Sequence, residues 1–288
     1  MQEDTQVLID RAAQLVEAAK RAGADASDAV VVRQASTSVQ VRNGKVEGTD
    51  ASEADNMSLR VFFGNKVASV SAAASSDANI LAERAISMAK VSPDDAFNGL
   101  ADANLLAKEI ADLDLYDETR ITAEQLTDDA LAAEAAALDV NGVTKSSGAS
   151  ASSGVGGMVL ATSHGFQGGY FGTRFSRSVS VIAGQGTAME RDYDYSSRLF
   201  YADLDSAEDI GRLAGERVVK RVNPRKMSTQ QVSVVFDPRV ARGLIGHING
   251  AINGGSIARK SSFLMDKMGE KIASDAITII DDPGIVRG

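Results

Sequence analysis

Two tight-turn signals constrain the fold of this chain more than any other feature of its sequence. Asn43-Gly44 separates two segments in which apolar and polar residues alternate, and Asn-Gly is the strongest short signal for a β-hairpin. Gly64-Asn65 follows a second alternating run, Met57–Phe63, and an apolar segment returns after it. Because two-residue turns can join only antiparallel neighbours, the sequence predicts an antiparallel sheet in its first hundred residues.

Helical patterns flank this sheet and repeat later in the chain. Apolar periodicity predicts helices over residues 5–22 and 77–90, which with four or five strands give an α+β unit at residues 1–100. A T-x-x-Q capping box at Thr122 starts a second unit, residues 115–225. Its glycine-rich middle, with 11 glycines in residues 141–190, is interpreted as strands and turns, and a helix over 207–221 ends it.

The last segment, residues 229–288, combines strand and helix signals. Val232–Phe236 is β-branched and apolar, which predicts a buried strand. Asp237-Pro238 is a helix start, Gly254-Gly255 is the predicted end of that helix, and residues 277–281 favour another strand. These elements are too few to close a domain, so we expect the start of a mainly β domain that continues beyond residue 288.

Composition excludes several classes of function. The chain has 288 residues, no cysteine and no apolar run of about 20 residues, which argues against disulfides and a transmembrane helix and fits the cytoplasm. Its net charge is −9, with a balance of −15 in residues 1–211 and +6 in residues 212–288, and only 5% of its residues are aromatic. An acidic chain without a nucleic-acid motif is a poor candidate for direct contact with DNA or RNA.

His247 is a weak catalytic candidate on the helix that starts at Pro238. A zinc-peptidase helix of the HExxH type needs a glutamate to activate water and a second histidine one turn later. Ile248 follows His247 instead, and Asn249 to Ile252 supply no good metal ligand, so a packed histidine is the more common explanation. Asp192 and Asp194 share one face of a strand and could hold a cation, although a solvated strand face is more usual.

A basic and hydroxyl-rich loop follows the helix. Arg259, Lys260, Ser261 and Ser262 offer cationic and hydroxyl donors beside a glycine-rich turn. Such donors could bind a carboxylate or carbonyl of a peptide. A solvated loop packed by its neighbours explains them equally well.

The run FDPRVARGLIGHINGAINGGSIARKSSFL, with DKMGEKIAS and ITIIDDPGIVRG after it, resembles the TldD/PmbA family, and specifically its PmbA (TldE) branch. The similarity extends over nearly the whole chain and is most specific in the last sixty residues. In the TldD branch the same helix carries the zinc motif HExxxH. His247 matches its first histidine, while Ile248 and Ile252 stand at the glutamate and second histidine positions.

The resemblance implies a subunit of a peptidase system that acts on unfolded peptides and has also been called a modulator of DNA gyrase. It implies a heterodimer with a TldD-like subunit that carries the zinc, and no metal in this chain. Two alternatives stay open. The chain could be an active metallopeptidase with His247 as a ligand, or a non-enzymatic homodimeric interaction protein.

Overall fold

The computed structural model describes the backbone of residues 2–288 and the side chains of residues 5–288. The chain divides after Pro224 into two compact units. The second unit is Arg225–Pro283, and Gly284–Gly288 belong to the first.

The first unit is built on one six-stranded antiparallel sheet with the strand order β3-β2-β1-β4-β5-β6. The strands are β1 Ala26–Arg42, β2 Lys45–Phe63, β3 Lys66–Ala73, β4 Val143–Thr162, β5 Gln167–Ala183 and β6 Glu190–Arg198. Its helices are α1 Gln2–Arg21, α2 Ala78–Val91, α3 Ala123–Leu138 and α4 Ala207–Arg221. The α+β class and the antiparallel sheet predicted from the sequence are therefore confirmed.

Both predicted hairpin turns are present. Asn43 and Gly44 have φ angles of 53° and 72°, the left-handed values that a two-residue turn of this kind requires and that Asn and Gly tolerate best. The expectation of four or five strands in this region is wrong, because three long strands occupy it. The short segments predicted on each side of Asn43 merge into β1 and β2, which pair over their whole length apart from one bulge at Gln40/Val41.

All four helices cover the same face of the sheet. Along β1 the buried apolar side chains, Ala29, Val31, Val39 and Val41, are all at odd positions, and the register with β4 is unbroken between them. Because side chains alternate between faces along a strand, these four residues point to one side. Ala29 and Val31 belong to the core formed with α1 and α2, and the other two to the core formed with α3 and α4.

The segments predicted as separate units, residues 1–100 and 115–225, contribute three strands each to this sheet. Their junction is the β1–β4 ladder, which pairs fourteen positions from Asp28↔Thr162 to Val41↔Ala149. The sequence contains no local signal for this pairing, because the two strands lie more than a hundred residues apart.

The second unit contains helix α5, Pro238–Ile252, and the short helix α6, Gly254–Ala258. The strands predicted at Val232–Phe236 and at residues 277–281 are wrong, since neither segment forms a strand. A strand needs a neighbour to pair its backbone groups, and the described residues of this unit provide none. Val232, Val234 and Val235 are instead 58%, 68% and 93% exposed.

Candidate functional site

The helix that carries His247 begins as its sequence predicts. Asp237 accepts a hydrogen bond from the backbone N–H of Arg239 and Pro238 occupies the first turn, where its missing N–H costs nothing. The helix ends at Ile252, before Gly254-Gly255. The prediction that these glycines end the helix is wrong. Asn253 ends α5, and the glycines open α6, whose Ser256 N–H donates to Asn253 Oδ1.

The residues around His247 do not fit a zinc ion. His247 is exposed on α5, and it has no hydrogen-bond or ion-pair partner among residues 5–288. The next positions on the helix that a zinc motif would use hold Ile248 and Ile252, whose side chains have no lone pair to donate. In the described part of the chain no three His, Asp or Glu side chains are grouped so that they could bind a metal.

The loop after α6 is anchored to α5 by its second serine. Ser262 Oγ donates to Ala251 O at 2.6 Å and accepts the N–H of Leu264 at 3.0 Å. Ser261 Oγ donates to Ser256 O at 3.2 Å. Both hydroxyls therefore donate to backbone carbonyls of the preceding helices, and Arg259 and Lys260 are the exposed cationic groups of the loop.

The structure brings the predicted site residues onto one short stretch but does not join them. Ala251, where Ser262 is attached, lies one helical turn beyond His247 on α5. No hydrogen bond or ion pair connects His247 to the loop 259–262 within the described residues. The arrangement can present two positive charges to an anionic or carbonyl ligand, but it assembles no nucleophile, base or metal centre.

Asp192 and Asp194 are neither a cation site nor a solvated face, and both interpretations of this pair are wrong. Arg221 Nη1 lies 3.3 Å from Asp192 Oδ2, and Arg217 Nη1 lies 2.6 Å from Asp194 Oδ1. The two arginines are four residues apart on α4, so they lie on one helix face above β6. The pairs attach this helix to the edge of the sheet.

Sequence reasoning missed a partly buried polar cluster in the first unit. Arg177 Nε lies 2.9 Å from Asp129 Oδ2, and the hydroxyl of Tyr201 donates to the same oxygen at 3.0 Å. Burial raises the pKa of Tyr201, and the neighbouring carboxylate adds to this effect. Arg177 also stacks on the Tyr201 ring at 4.9 Å. With its charges paired, the cluster supports packing between β5 and α3. Its members lie too far apart in sequence for a motif.

Comparison with known proteins places the chain in the PmbA/TldD metallopeptidase family. Three models of the family match: domain 1 over residues 27–89, the central domain over residues 116–222 and the C-terminal domain over residues 229–288. The chain belongs to this family. None of the described helices is long and apolar enough to cross a membrane.

Similar individual proteins carry the PmbA name. The metalloprotease PmbA homologue of Haemophilus influenzae is 36% identical over 275 residues, and metalloprotease PmbA of Escherichia coli O157:H7 is 36% identical over 267 residues. These matches cover 94% and 92% of this chain but 61% and 59% of the relatives. The chain thus spans about three fifths of the length of these curated relatives.

Two solved structures share the fold. A Bacteroides thetaiotaomicron protein described as a modulator of DNA gyrase superimposes with a TM-score of 0.90 at 26% identity, over 96% of this chain and 64% of its own. TldE from Thermococcus kodakarensis superimposes with a TM-score of 0.75 at 17% identity, over 92% of this chain and 60% of its own.

Proposed function

We propose that this chain is the PmbA (TldE)-type subunit of a two-component metallopeptidase that degrades unfolded peptides. In this proposal a TldD-like partner carries the zinc, and this chain helps to enclose and hold the peptide. The observation that carries the proposal is helix α5. It is formed and correctly capped, yet Ile248 and Ile252 stand where the zinc chemistry needs a glutamate and a histidine.

The chemistry left in this chain suits binding better than catalysis. Water activation needs a metal or a positioned base, and neither lies beside His247 in the described residues. Arg259 and Lys260, with the serines beside them, are proposed to contact the peptide, and an open sheet edge can add an extended peptide through its backbone groups. We place the complex in the cytoplasm, and the net charge of −9 on this chain argues against direct contact between it and nucleic acid.

Zinc stoichiometry tests this assignment. The chain is purified alone and together with a TldD-like subunit, and zinc is measured by mass spectrometry with peptidase activity on an unfolded peptide. We expect no zinc and no activity in the chain alone, and one zinc per complex with activity in the mixture.

His247→Ala in this chain, with Asn249→Ala as the matched control on the same helix, should leave the zinc content of the complex unchanged. Stoichiometric zinc in the chain alone that is lost in His247→Ala would instead establish an independent metallopeptidase. Self-association without affinity for either a TldD-like subunit or peptide would establish a homodimeric interaction protein.

A further inference from the structure

A polar groove lies on the face of the sheet that the helices leave uncovered. It is open to solvent, has a volume of about 330 Å³ and is lined by residues of β1, β2, β4, β5 and β6, near the turn that joins β1 to β2. Gln40, Ser150 and Ser178 lie side by side across three strands, at even positions opposite the buried face. A volume of this size is at the lower end of the range for small-molecule sites.

A bulge in β4 lies at the groove, where Ser147 and Gly148 are among the lining residues. The register of β4 against β5 shifts between Ser146 and Gly148, and Gly148 has a φ of +113°, which a side chain would strain. A Cβ at this position would lie 3.8 Å from Nε of Arg42. That is an ordinary contact distance, so the backbone conformation rather than a lack of space favours glycine at this position.

The groove is rich in hydrogen-bond donors and carries excess positive charge. Glu47 is the one carboxylate among its lining residues, and it already pairs with Arg42 at 3.2 Å. Arg191 makes no hydrogen bond or ion pair with any residue that the structure describes. At the base of the groove, the Ser150 and Ser178 hydroxyls bond to each other at 2.9 Å, which leaves one of their two protons to donate elsewhere.

We propose that this groove binds an oxyanion, and specifically the C-terminal carboxylate of a peptide, with Arg191 as its charge partner. A guanidinium recognises a carboxylate through paired, charge-assisted hydrogen bonds. The serine hydroxyls supply a further donor, and the groove has room for a residue or two behind the carboxylate. The choice of a peptide over other oxyanions rests on the proposed function, whereas the anion-binding chemistry rests on the groove alone.

Binding of two forms of one peptide to the purified 288-residue chain tests the site. A short, N-terminally labelled, alanine-rich peptide is used as the free acid and as the C-terminal amide, and its dissociation constant is measured by fluorescence anisotropy. We expect the acid to bind at least about tenfold more tightly than the amide, since a charge-assisted hydrogen bond is worth at least that factor. In Arg191→Ala the two forms should bind equally.

Arg174→Ala is the matched control, because Arg174 is an exposed arginine on the same face of the sheet that does not line the groove. It should keep the preference for the acid.

Equal binding of acid and amide by the unmodified chain, or no binding of either, would overturn the peptide assignment. Inorganic phosphate is titrated alongside, and phosphate binding that Arg191→Ala abolishes, without any acid preference, would identify a general anion site instead. The measurement needs neither zinc nor a partner subunit. If the proposed two-component peptidase is wrong, the binding measured here is therefore unaffected.

Discussion

At the scale of single residues, one buried carboxylate attaches the β1–β2 turn to helix α3. Glu134 is 1% exposed. Its Oε1 accepts the N–H of Asn43 at 2.9 Å, and its Oε2 accepts the N–H of Gly44 at 2.7 Å. The hydroxyl of Ser146 also donates to it. A buried charge is tolerated when hydrogen bonds replace its water, and here three donors do so.

Glu134→Gln should lower the free energy of unfolding by about 2–3 kcal/mol. The NH₂ of the glutamine amide would face one of these three donors, which would leave a buried polar group without a hydrogen-bond partner. Urea unfolding followed by circular dichroism measures the change. Asp128→Asn, at an exposed position of the same helix, should change stability little. Equal effects of the two substitutions would show that the hydrogen bonds to Glu134 do not stabilise the turn. The alanine-rich pattern of α3 predicts this helix but not the role of Glu134, whose partner Asn43 is 91 positions away.

At the scale of elements, the start of α3 is set by a local signal. Thr122 Oγ1 accepts the N–H of Gln125 at 3.2 Å, and Gln125 Oε1 accepts the N–H of Thr122 at 2.8 Å. Thr122→Ala removes the first bond and should cost about 1 kcal/mol of stability. Thr127→Ala, which removes a mid-helix bond to Ala123 O at 2.8 Å, should cost less, since alanine is the better helix former. A calorimetric melt of both variants checks this order, and the reverse order would contradict the capping role.

The same contrast between local and distant signals explains which elements were predicted from the sequence. Turns and caps such as Asn43-Gly44 and Asp237 depend on residues a few positions apart, and the structure confirms them. Val232–Phe236 has the composition of a strand, but whether it pairs depends on another segment, which composition cannot show. For the candidate site, the sequence predicts helix α5 and shows isoleucine at the two positions where a zinc motif needs a glutamate and a histidine. It does not predict that Ser262 bonds to Ala251. The groove with Arg42 and Arg191 was missed because five strands contribute to it.

At the scale of the whole molecule, the central ladder makes one cooperative body of two family domains. β1 pairs with β2 on one side and with β4 on the other. Helix α1 packs on both halves, since Val159 and Ala161 of β4 belong to the same core as its Leu15. Neither half can therefore unfold without exposing backbone and apolar surface of the other.

Leu59→Ala tests this cooperativity. Leu59 is 1% exposed in the first half of the sheet, and its truncation should cost about 2–5 kcal/mol. If residues 26–221 unfold together, the slowest-exchanging amides of α4, in the other half, should exchange at least about tenfold faster, as should those of α2. Hydrogen exchange read by mass spectrometry gives both, and Ile80→Ala, at a side chain 67% exposed on α2, should accelerate neither. Faster exchange confined to residues 26–91 would mean that the two halves unfold independently despite the ladder between them.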